Sequence, residues 1–184
     1  MFSDFYGIYK NARNASWQFL IDHNINQLPI DLNPIIKKLG IKVKLGDEKV
    51  LKPPQRGLTT TNGCATYIIL HKENSPAESR YTIAHELGHG CLGHLLTDSG
   101  YIQTDANEYQ AERFAIDILA PACVLWGLNL HTAEEIAKAC NISIIAAKRR
   151  AERMAVLYKR NKFLTSPLER QVYEQFLDFI NKNK

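Results

Sequence analysis

The chain has 184 residues and a formal net charge of +4, and 45% of its residues are hydrophobic. This length supports one domain with a hydrophobic core and room for a helical extension, and no stretch has the roughly 20 consecutive apolar residues of a membrane span. The four cysteines are far apart and form no Cys-x-x-Cys pair, which excludes a thiolate zinc site and a disulfide framework and indicates a cytoplasmic protein that does not enter the membrane.

The N-terminal part of the chain predicts two helices. Apolar residues recur at helical spacing over residues 5–22, so we expect a first helix there. A second, short helix is predicted up to Leu39, with Asp31 or Asn33 as its N-cap and Gly40 at its end.

Three short segments then predict a small sheet. Residues 41–45 alternate apolar and basic side chains, and residues 58–61 and 65–70 flank the dipeptide Asn62-Gly63. Asn-Gly is well suited to a tight hairpin turn because both residues tolerate positive φ. We therefore expect an α+β fold that is mostly helical, with an antiparallel sheet of about three strands.

A helix that carries the sequence H-E-L-G-H at residues 85–89 follows the sheet. A Ser-Pro-x-Glu capping box predicts that it begins at Pro76. Since an α-helix turns about 100° per residue, His85 and His89 lie about 40° apart on one face and can bind one metal ion. Glu86 lies to the side of this pair, where its carboxylate suits a water molecule better than the metal. This is the arrangement of a hydrolytic zinc site; the alternative is a pair of core histidines held by hydrogen bonds.

The next helix supplies a third metal ligand. We expect it to begin with Asp105 as its N-cap and to end before Pro121, with Glu108 and Glu112 one turn apart on a face of small and apolar residues. A catalytic zinc usually takes three protein ligands, so Glu108 is assigned as the third. Glu112 is expected to accept a hydrogen bond from the outer ring nitrogen of a liganding histidine. Alternatively, Glu108 merely completes a capping box with Asp105.

Two blocks of the chain resemble the ImmA/IrrE family of metallo-endopeptidases. Residues 80–89 read R-Y-T-I-A-H-E-L-G-H, and residues 108–121 follow the pattern E-x-x-A-x-x-F-A-x-x-x-L-x-P. With residues 28–43, the likeness covers roughly residues 5–121. It implies a gluzincin-like fold with Glu86 as catalytic base, and a regulatory substrate such as a helix-turn-helix repressor of a phage or mobile element. In such sequences the position of Glu112 usually carries Asn or Asp. The ligands that the resemblance implies are His85, His89 and Glu108.

The remaining histidines and tyrosines have weaker patterns. His94 follows His89 by five residues, whereas the three-histidine zinc pattern needs six, and a continued helix would place it on the opposite face. We therefore expect His94 to be a surface or helix-end histidine outside the site, and we leave His71 outside it as well. Four residues stay open as the group that stabilises the oxyanion: Tyr67, His71, Tyr101 and Tyr109.

The C-terminal residues 126–184 predict a helical extension to a zincin-like protease domain formed by residues 1–125. Residues 132–159 indicate a helix, a short turn and a second helix, which could read DNA with a basic side facing the phosphates. We favour the alternative that these helices complete the protease domain with a solvated basic face. A last amphipathic helix either packs on the domain or offers a docking stripe. The basic residues in question are Lys148, Arg149, Arg150 and Arg153.

Together these patterns predict a Zn²⁺-dependent endopeptidase that acts on a protein substrate. Glu86 takes a proton from the attacking water, and the strand at residues 65–70 pairs with the substrate backbone. The competing hypothesis is a DNA- or protein-binding transcriptional regulator that keeps its metal for stability.

Overall fold

The structure is a computed structural model that describes residues 2–94 and 104–184, with side chains from residue 7 onwards. The fold is α+β and mostly helical, with one small sheet, as the sequence predicts. Within the described ranges, no helix combines the length and the apolar character that a bilayer span requires. The helices are α1 (Phe2–Asp22), α2 (Asn33–Lys38), α3 (Pro76–Cys91), α4 (Asp105–Leu119), α5 (Ala122–Gly127), α6 (Ala133–Cys140), α7 (Ile144–Arg160), α8 (Pro167–Gln175) and α9 (Leu177–Asn183). The strands are β1 (Lys42–Gly46), β2 (Gly57–Thr61) and β3 (Thr66–His71).

The first residues of α3 and of α2 are set in different ways. The Ser75 hydroxyl accepts a hydrogen bond from the Glu78 amide at 3.3 Å, and the Glu78 carboxylate accepts one from the Ser75 amide at 2.8 Å, so α3 begins at Pro76 as predicted. The N-cap of α2 is Leu32, and neither predicted residue caps it. Asp31 instead accepts a hydrogen bond from the Asn33 amide at 2.9 Å, which makes a turn before the helix.

The sheet is mixed, with strand order β1-β3-β2. The hairpin of β2 and β3 is antiparallel, and Gly63 in its turn has a φ of +82°. The expectation of a fully antiparallel sheet is wrong for β1, which pairs with β3 in parallel. The reason is that residues 47–56 carry the chain from β1 to the far edge of the sheet, where β2 forms. The hairpin then places β3 between the two strands, where it runs in the same direction as β1. Only a strand in the middle of the sheet pairs on both sides, and that strand is β3.

The core lies between the helices and includes residues from both sides of the expected boundary at residue 125. The segment that was predicted to be one last amphipathic helix forms two helices, α8 and α9. It packs on the rest of the molecule, as the full burial of Val172, Phe176 and Ile180 shows. The Gln175 amide also donates to the carbonyl of Leu20 in α1 at 2.9 Å. The apolar stripe near the C-terminus is therefore part of the core.

Arg80 of α3 joins three segments of backbone. Its Nη1 donates to the carbonyls of Cys140 at 2.9 Å and Asn141 at 2.6 Å, at the end of α6, and its Nη2 donates to the Ile30 carbonyl at 2.7 Å. A guanidinium with several donors suits such a junction, since the last carbonyls of a helix have no partner within the helix. The α3 helix is thus tied to the α6–α7 pair.

Candidate metal centre and its cleft

Side chains of α3 and α4 bring three potential metal donors together. The Nε2 atoms of His85 and His89 are 3.0 Å apart, and the two carboxylate oxygens of Glu108 lie 3.3 Å from His85 Nε2 and 3.4 Å from His89 Nε2. Donors on a tetrahedral zinc, with bonds of 2.0–2.1 Å, stand about 3.3–3.4 Å apart. The three side chains are therefore close enough together to hold one metal ion.

Gly88 lets the two helices approach closely enough to build this centre. A Cβ on Gly88 would lie 3.1 Å from Phe114 Cδ1 and 3.2 Å from both the Cα and the carbonyl oxygen of Ala111. The small residues at this crossing place Glu108, one turn before Ala111, over the imidazoles. The helix packing itself thus positions the third donor.

The capping of α4 differs from the prediction. Thr104, and not Asp105, is the N-cap, since its hydroxyl accepts a hydrogen bond from the Asn107 amide at 3.1 Å. Glu108 consequently lies one residue beyond the position that a capping box uses. Its carboxylate instead faces both histidines, which removes the capping alternative.

His94 reaches back to the site, contrary to expectation. The α3 helix ends at Cys91, and Gly93, with a φ of +73°, reverses the chain so that the His94 amide donates to the His89 carbonyl at 2.9 Å. This turn places His94 Nδ1 3.1 Å from His89 Nδ1. The prediction failed because it continued the helix through His94. The glycine after Leu92 was the available sequence signal for the helix end.

A chain of hydrogen bonds fixes the tautomer of His89. His94 Nε2 lies 3.0 Å from the Gln110 side-chain oxygen, and the Gln110 amide donates to the Ile8 carbonyl at 3.3 Å. Every atom in this chain is satisfied when His89 Nδ1 donates to His94 and His94 Nε2 donates to Gln110. His89 Nε2 then carries a lone pair for a metal. Burial, followed by the influence of His85, lowers the pKa of His89 to about 4, which keeps the ring neutral at neutral pH.

Glu112 does not make the contact predicted for it. It is exposed and lines the cleft, and among the described side chains no hydrogen bond joins it to either histidine. The outer nitrogen of His89 faces His94, on the side away from the cleft, whereas Glu112 lies near Tyr81. Burial, with a smaller contribution from the Glu112 charge, raises the pKa of Tyr81 to about 12.

Glu86 faces β2 on the other side of α3. Its carboxylate accepts a 2.7 Å hydrogen bond from the Thr59 hydroxyl and is 8% exposed. Burial raises the pKa of Glu86 above its ordinary value, and the Thr59 hydrogen bond acts in the opposite direction. A Cβ on Gly57 would overlap Thr82 Cγ2, so glycine allows β2 to pass against α3. No local sequence pattern pointed to Thr59, because its contact with Glu86 spans 27 residues of chain.

A cleft of about 1010 Å³ is lined by the three potential metal donors and by Glu86. Its walls come from β2 with the preceding loop, from α3 and α4, and from α7. Of the residues considered for the oxyanion, Tyr109 lines this cleft, Tyr67 and His71 do not, and Tyr101 lies outside the described residues. The prediction that residues 65–70 pair with a substrate is wrong, since β3 already pairs on both edges. The strand edge at the cleft belongs to β2.

The basic residues of α7 do not form one solvated face. Lys148 is exposed outside the cleft, while Arg149 and Arg153 line the cleft together with the buried Arg150. Arg150 is 1% exposed and donates to Asp117 at 2.6 Å. It cannot meet DNA phosphates as the sequence suggested, because its guanidinium lies inside the fold.

Comparison with known proteins places the chain in a family. A family model described as Peptidase_M78, the IrrE N-terminal-like domain, matches residues 36–152, which is more than half of the chain. No curated protein sequence matches this chain. The matched range includes the sheet, both histidines, Glu86 and Glu108, so the resemblance in the two sequence blocks is confirmed. The chain belongs to the Peptidase_M78 family, a family of metallopeptidases with an IrrE N-terminal-like domain.

Proposed function

We propose that this protein is a zinc-dependent endopeptidase that cleaves a regulatory protein, specifically a helix-turn-helix repressor of the phage or mobile-element type. The observation that carries the proposal is the convergence of His85, His89 and Glu108 beside the buried carboxylate of Glu86. The family membership supports peptide hydrolysis as the reaction.

The donor set favours zinc among the metals. Two imidazoles and one carboxylate, with a fourth position open for substrate, are typical of catalytic zinc sites. Zinc held there would supply Lewis acidity and lower the pKa of a nearby water molecule. The hydrogen bonds from His89 through His94 to Gln110 orient the imidazole for this role.

Glu86 is the proposed general base. A base must accept a proton in one step and give it to the leaving amine in the next, and a pKa raised towards neutrality suits both transfers. Burial raises the pKa of Glu86, and the Thr59 hydroxyl holds the carboxylate in one orientation. Thr59 therefore acts through Glu86 as a positioning residue.

The edge of β2 and Tyr109 complete the proposed machinery. An extended peptide can add to the free edge of β2, and Gly57, Leu58 and Thr59 of that strand line the cleft. Tyr109 lies next to Glu108 on the same cleft. Burial raises the pKa of Tyr109, so its hydroxyl stays protonated and can donate to the oxyanion of the transition state.

We also propose that the protein works in the cytoplasm. All four cysteines are free thiols, and Cys123 and Cys140 are buried in the core. Proteins with unpaired cysteines suit a reducing compartment, which is also where a repressor is found.

The test compares Glu86→Gln with the wild-type protein, each supplied with zinc and each co-expressed with a candidate helix-turn-helix repressor. Gln keeps the size of the side chain but cannot accept the proton, so cleavage should fall by about 10²–10⁴. Zinc content should stay near one ion per chain in both proteins. Glu134→Gln, the same change at an exposed site on α6, serves as the control. Undiminished relief of repression by Glu86→Gln would contradict the proposal.

A further inference from the structure

The α7 side of the cleft carries more positive charge than its neighbours neutralise. Four arginines line this part of the cleft, one from α4 and three from α7. Within the described part of the chain, Asp117 is the acidic side chain that forms ion pairs with them. Glu112 also lines the cleft and forms no ion pair with a described side chain. The four arginines therefore exceed the two acids, Asp117 and Glu112, by two positive charges. We call these residues the arginine cluster: Arg113, Arg149, Arg150 and Arg153.

Asp117 has no capacity left for the other arginines. Arg113 binds it with two hydrogen bonds of 2.8 Å, and Arg150 Nη2 binds Oδ1 at 2.6 Å. The carboxylate is 4% exposed. Although burial alone would raise the pKa of Asp117, the charges of Arg113 and Arg150 lower it below its ordinary value. Asp117 is therefore ionised and fully engaged with these two partners.

Arg150 is buried with donors that have no partner. Its Nη2 binds Asp117 and the Ile116 carbonyl, but Nε and Nη1 are buried without a hydrogen bond, as is Nε of Arg153. Buried donors without acceptors are energetically unfavourable, and more so when they are charged. The buried charge of Arg150 is thus only partly compensated by described protein groups, while Arg149 and Arg153 are the arginines of α7 that a ligand in the cleft can reach.

The neutral side chain of Tyr9, and not a second acidic side chain, contacts Arg113 and Arg153. The Tyr9 hydroxyl accepts a 2.7 Å hydrogen bond from Arg153, and the Cζ atoms of Arg113 and Arg153 lie 4.8 and 5.1 Å from the centre of the Tyr9 ring. These contacts hold the guanidinium groups in place without cancelling their charge. The arrangement is therefore preorganised for an anion that comes from outside the chain.

The arginine cluster lies close to the proposed catalytic centre. Arg113 follows Glu108 by five residues on α4, which is a rise of about 7.5 Å and a rotation of about 140° around the helix, and both side chains line the same cleft. An extended peptide covers the rise with about two residues, and the lengths of the arginine and of the substrate side chain span the rest. A substrate that places its scissile bond at the catalytic centre can therefore place a nearby side chain at the cluster.

We propose that the arginine cluster is a subsite for the carboxylate of an Asp or Glu side chain, located within about two residues of the scissile bond of a peptide substrate. This inference rests on the proposed endopeptidase function and adds a substrate class to it. Guanidinium groups bind carboxylates through paired hydrogen bonds, which gives direction as well as charge. Lys52 and Arg56 also line this cleft and form no ion pair with a described side chain, so their charges should raise its affinity for acidic peptides further.

The shape of the site favours a peptide over DNA. A helix that reads DNA must protrude into a major groove about 12 Å wide. The arginines of α7 instead point into a concave cleft that also contains Glu86, and Arg150 is 1% exposed. An extended peptide can enter such a cleft, whereas a duplex cannot.

The experiment profiles cleavage of a combinatorial peptide library by the zinc-loaded full chain, with products located by mass spectrometry. Asp and Glu should be enriched within two positions of the cleaved bond. The double variant Arg149→Gln/Arg153→Gln should lower kcat/KM for an acidic peptide by at least about tenfold, but leave the matching peptide with Gln in place of the acid unchanged. The control Lys159→Gln/Arg160→Gln removes the same charge from the exposed end of α7 and should change neither value. If the double variant does not fold, Arg149→Gln alone repeats the test at an exposed side chain.

The outcomes separate this subsite from the proposed function. Cleavage without preference for acidic residues, or an equal loss on both peptides, overturns the subsite while the endopeptidase stands. If no peptide is cleaved, binding is measured by fluorescence anisotropy with Glu86→Gln: tighter binding of the acidic peptide, lost in the double variant, supports the subsite without hydrolysis. Binding of a duplex oligonucleotide that the double variant loses, with no discrimination between the peptides, overturns the subsite in favour of DNA contact.

Discussion

The two sides of α3 build the site by different means. On the ligand side, helix packing against α4 brings Glu108 to the two histidines, and Gly88 permits the close crossing. On the base side, the edge strand β2 reaches Glu86 through one hydroxyl, that of Thr59, and Gly57 permits the approach. The ligand side is therefore held by many contacts and the base side by few.

Because of this difference, we expect metal binding and proton transfer to respond to different substitutions. His89 is 2% exposed and is joined to α1 through a chain of hydrogen bonds, so the ligand side resists local change. Substitutions towards α4 should act on metal affinity, and substitutions towards β2 should act on turnover. The following predictions test this division.

The largest effect is expected from Glu108→Ala. It removes a proposed ligand, so zinc affinity should fall by more than about 100-fold and activity with it. Glu112→Ala, one turn further along α4, should keep its zinc, because Glu112 makes no hydrogen bond to either histidine among the described groups. Competition with a chromophoric chelator measures both affinities. Equal loss of zinc in the two variants would show that Glu112 supports the metal after all.

His94→Leu should act on the ligand side through His89. Without His94, the Nδ1 proton of His89 loses its acceptor and the ring is no longer held in one tautomer, so zinc affinity should fall by about 10–100-fold. The same chelator titration measures this change. His131→Leu, at an exposed site, is the matched control and should bind zinc normally. An unchanged affinity in His94→Leu would mean that helix packing alone orients His89.

Thr59→Val should act on the base side alone. It keeps the shape of the side chain but removes the hydroxyl, so turnover should fall by about tenfold while zinc content stays constant. The Thr59 hydrogen bond lowers the pKa of Glu86, so its loss should raise that pKa and move the acid limb of the pH–rate profile to higher pH. Thr60→Val, at an exposed position of the same strand, should leave the profile in place. A shift to lower pH would contradict the assigned role.

The smallest effects are expected from alanine at the two glycines. Each added methyl group should cost about 1 kcal/mol, a factor of about five, because the neighbouring elements must move apart. Gly88→Ala should show this loss in zinc affinity, whereas Gly57→Ala should show it in kcat. Thermal unfolding of both variants provides the check on stability. If both substitutions changed the same quantity, the two sides of α3 would not be independent.

Local patterns in the sequence were sufficient for the core of the site. The spacing of His85 and His89 and the capping box at Ser75 act within one or two helical turns, so they predicted α3 and its metal-binding face. Glu108 was predicted because a metal needs a third donor. These inferences depend on residues close in sequence or on the chemistry of one ion.

Features that depend on distant contacts were missed or mistaken. Thr59 meets Glu86 through the placement of β2, and Arg150 meets Asp117 through the packing of α7 on α4. The parallel pairing of β1 likewise depends on the path of the chain between strands. The placement of His94 was wrong for a local reason, because Gly93 was a sequence signal for the end of the helix that the prediction did not use.

Arg80 connects the two walls of the cleft. It ties α3, which carries the two histidines and Glu86, to the end of α6, and α6 leads directly into the arginine-bearing α7. Lysine at this position would keep the charge but lose the forked geometry that spans three carbonyls. The placement of one wall relative to the other therefore depends in part on a residue outside the proposed metal centre. Arg80 is a point at which related enzymes could diverge in the peptides they admit while sharing the same chemistry.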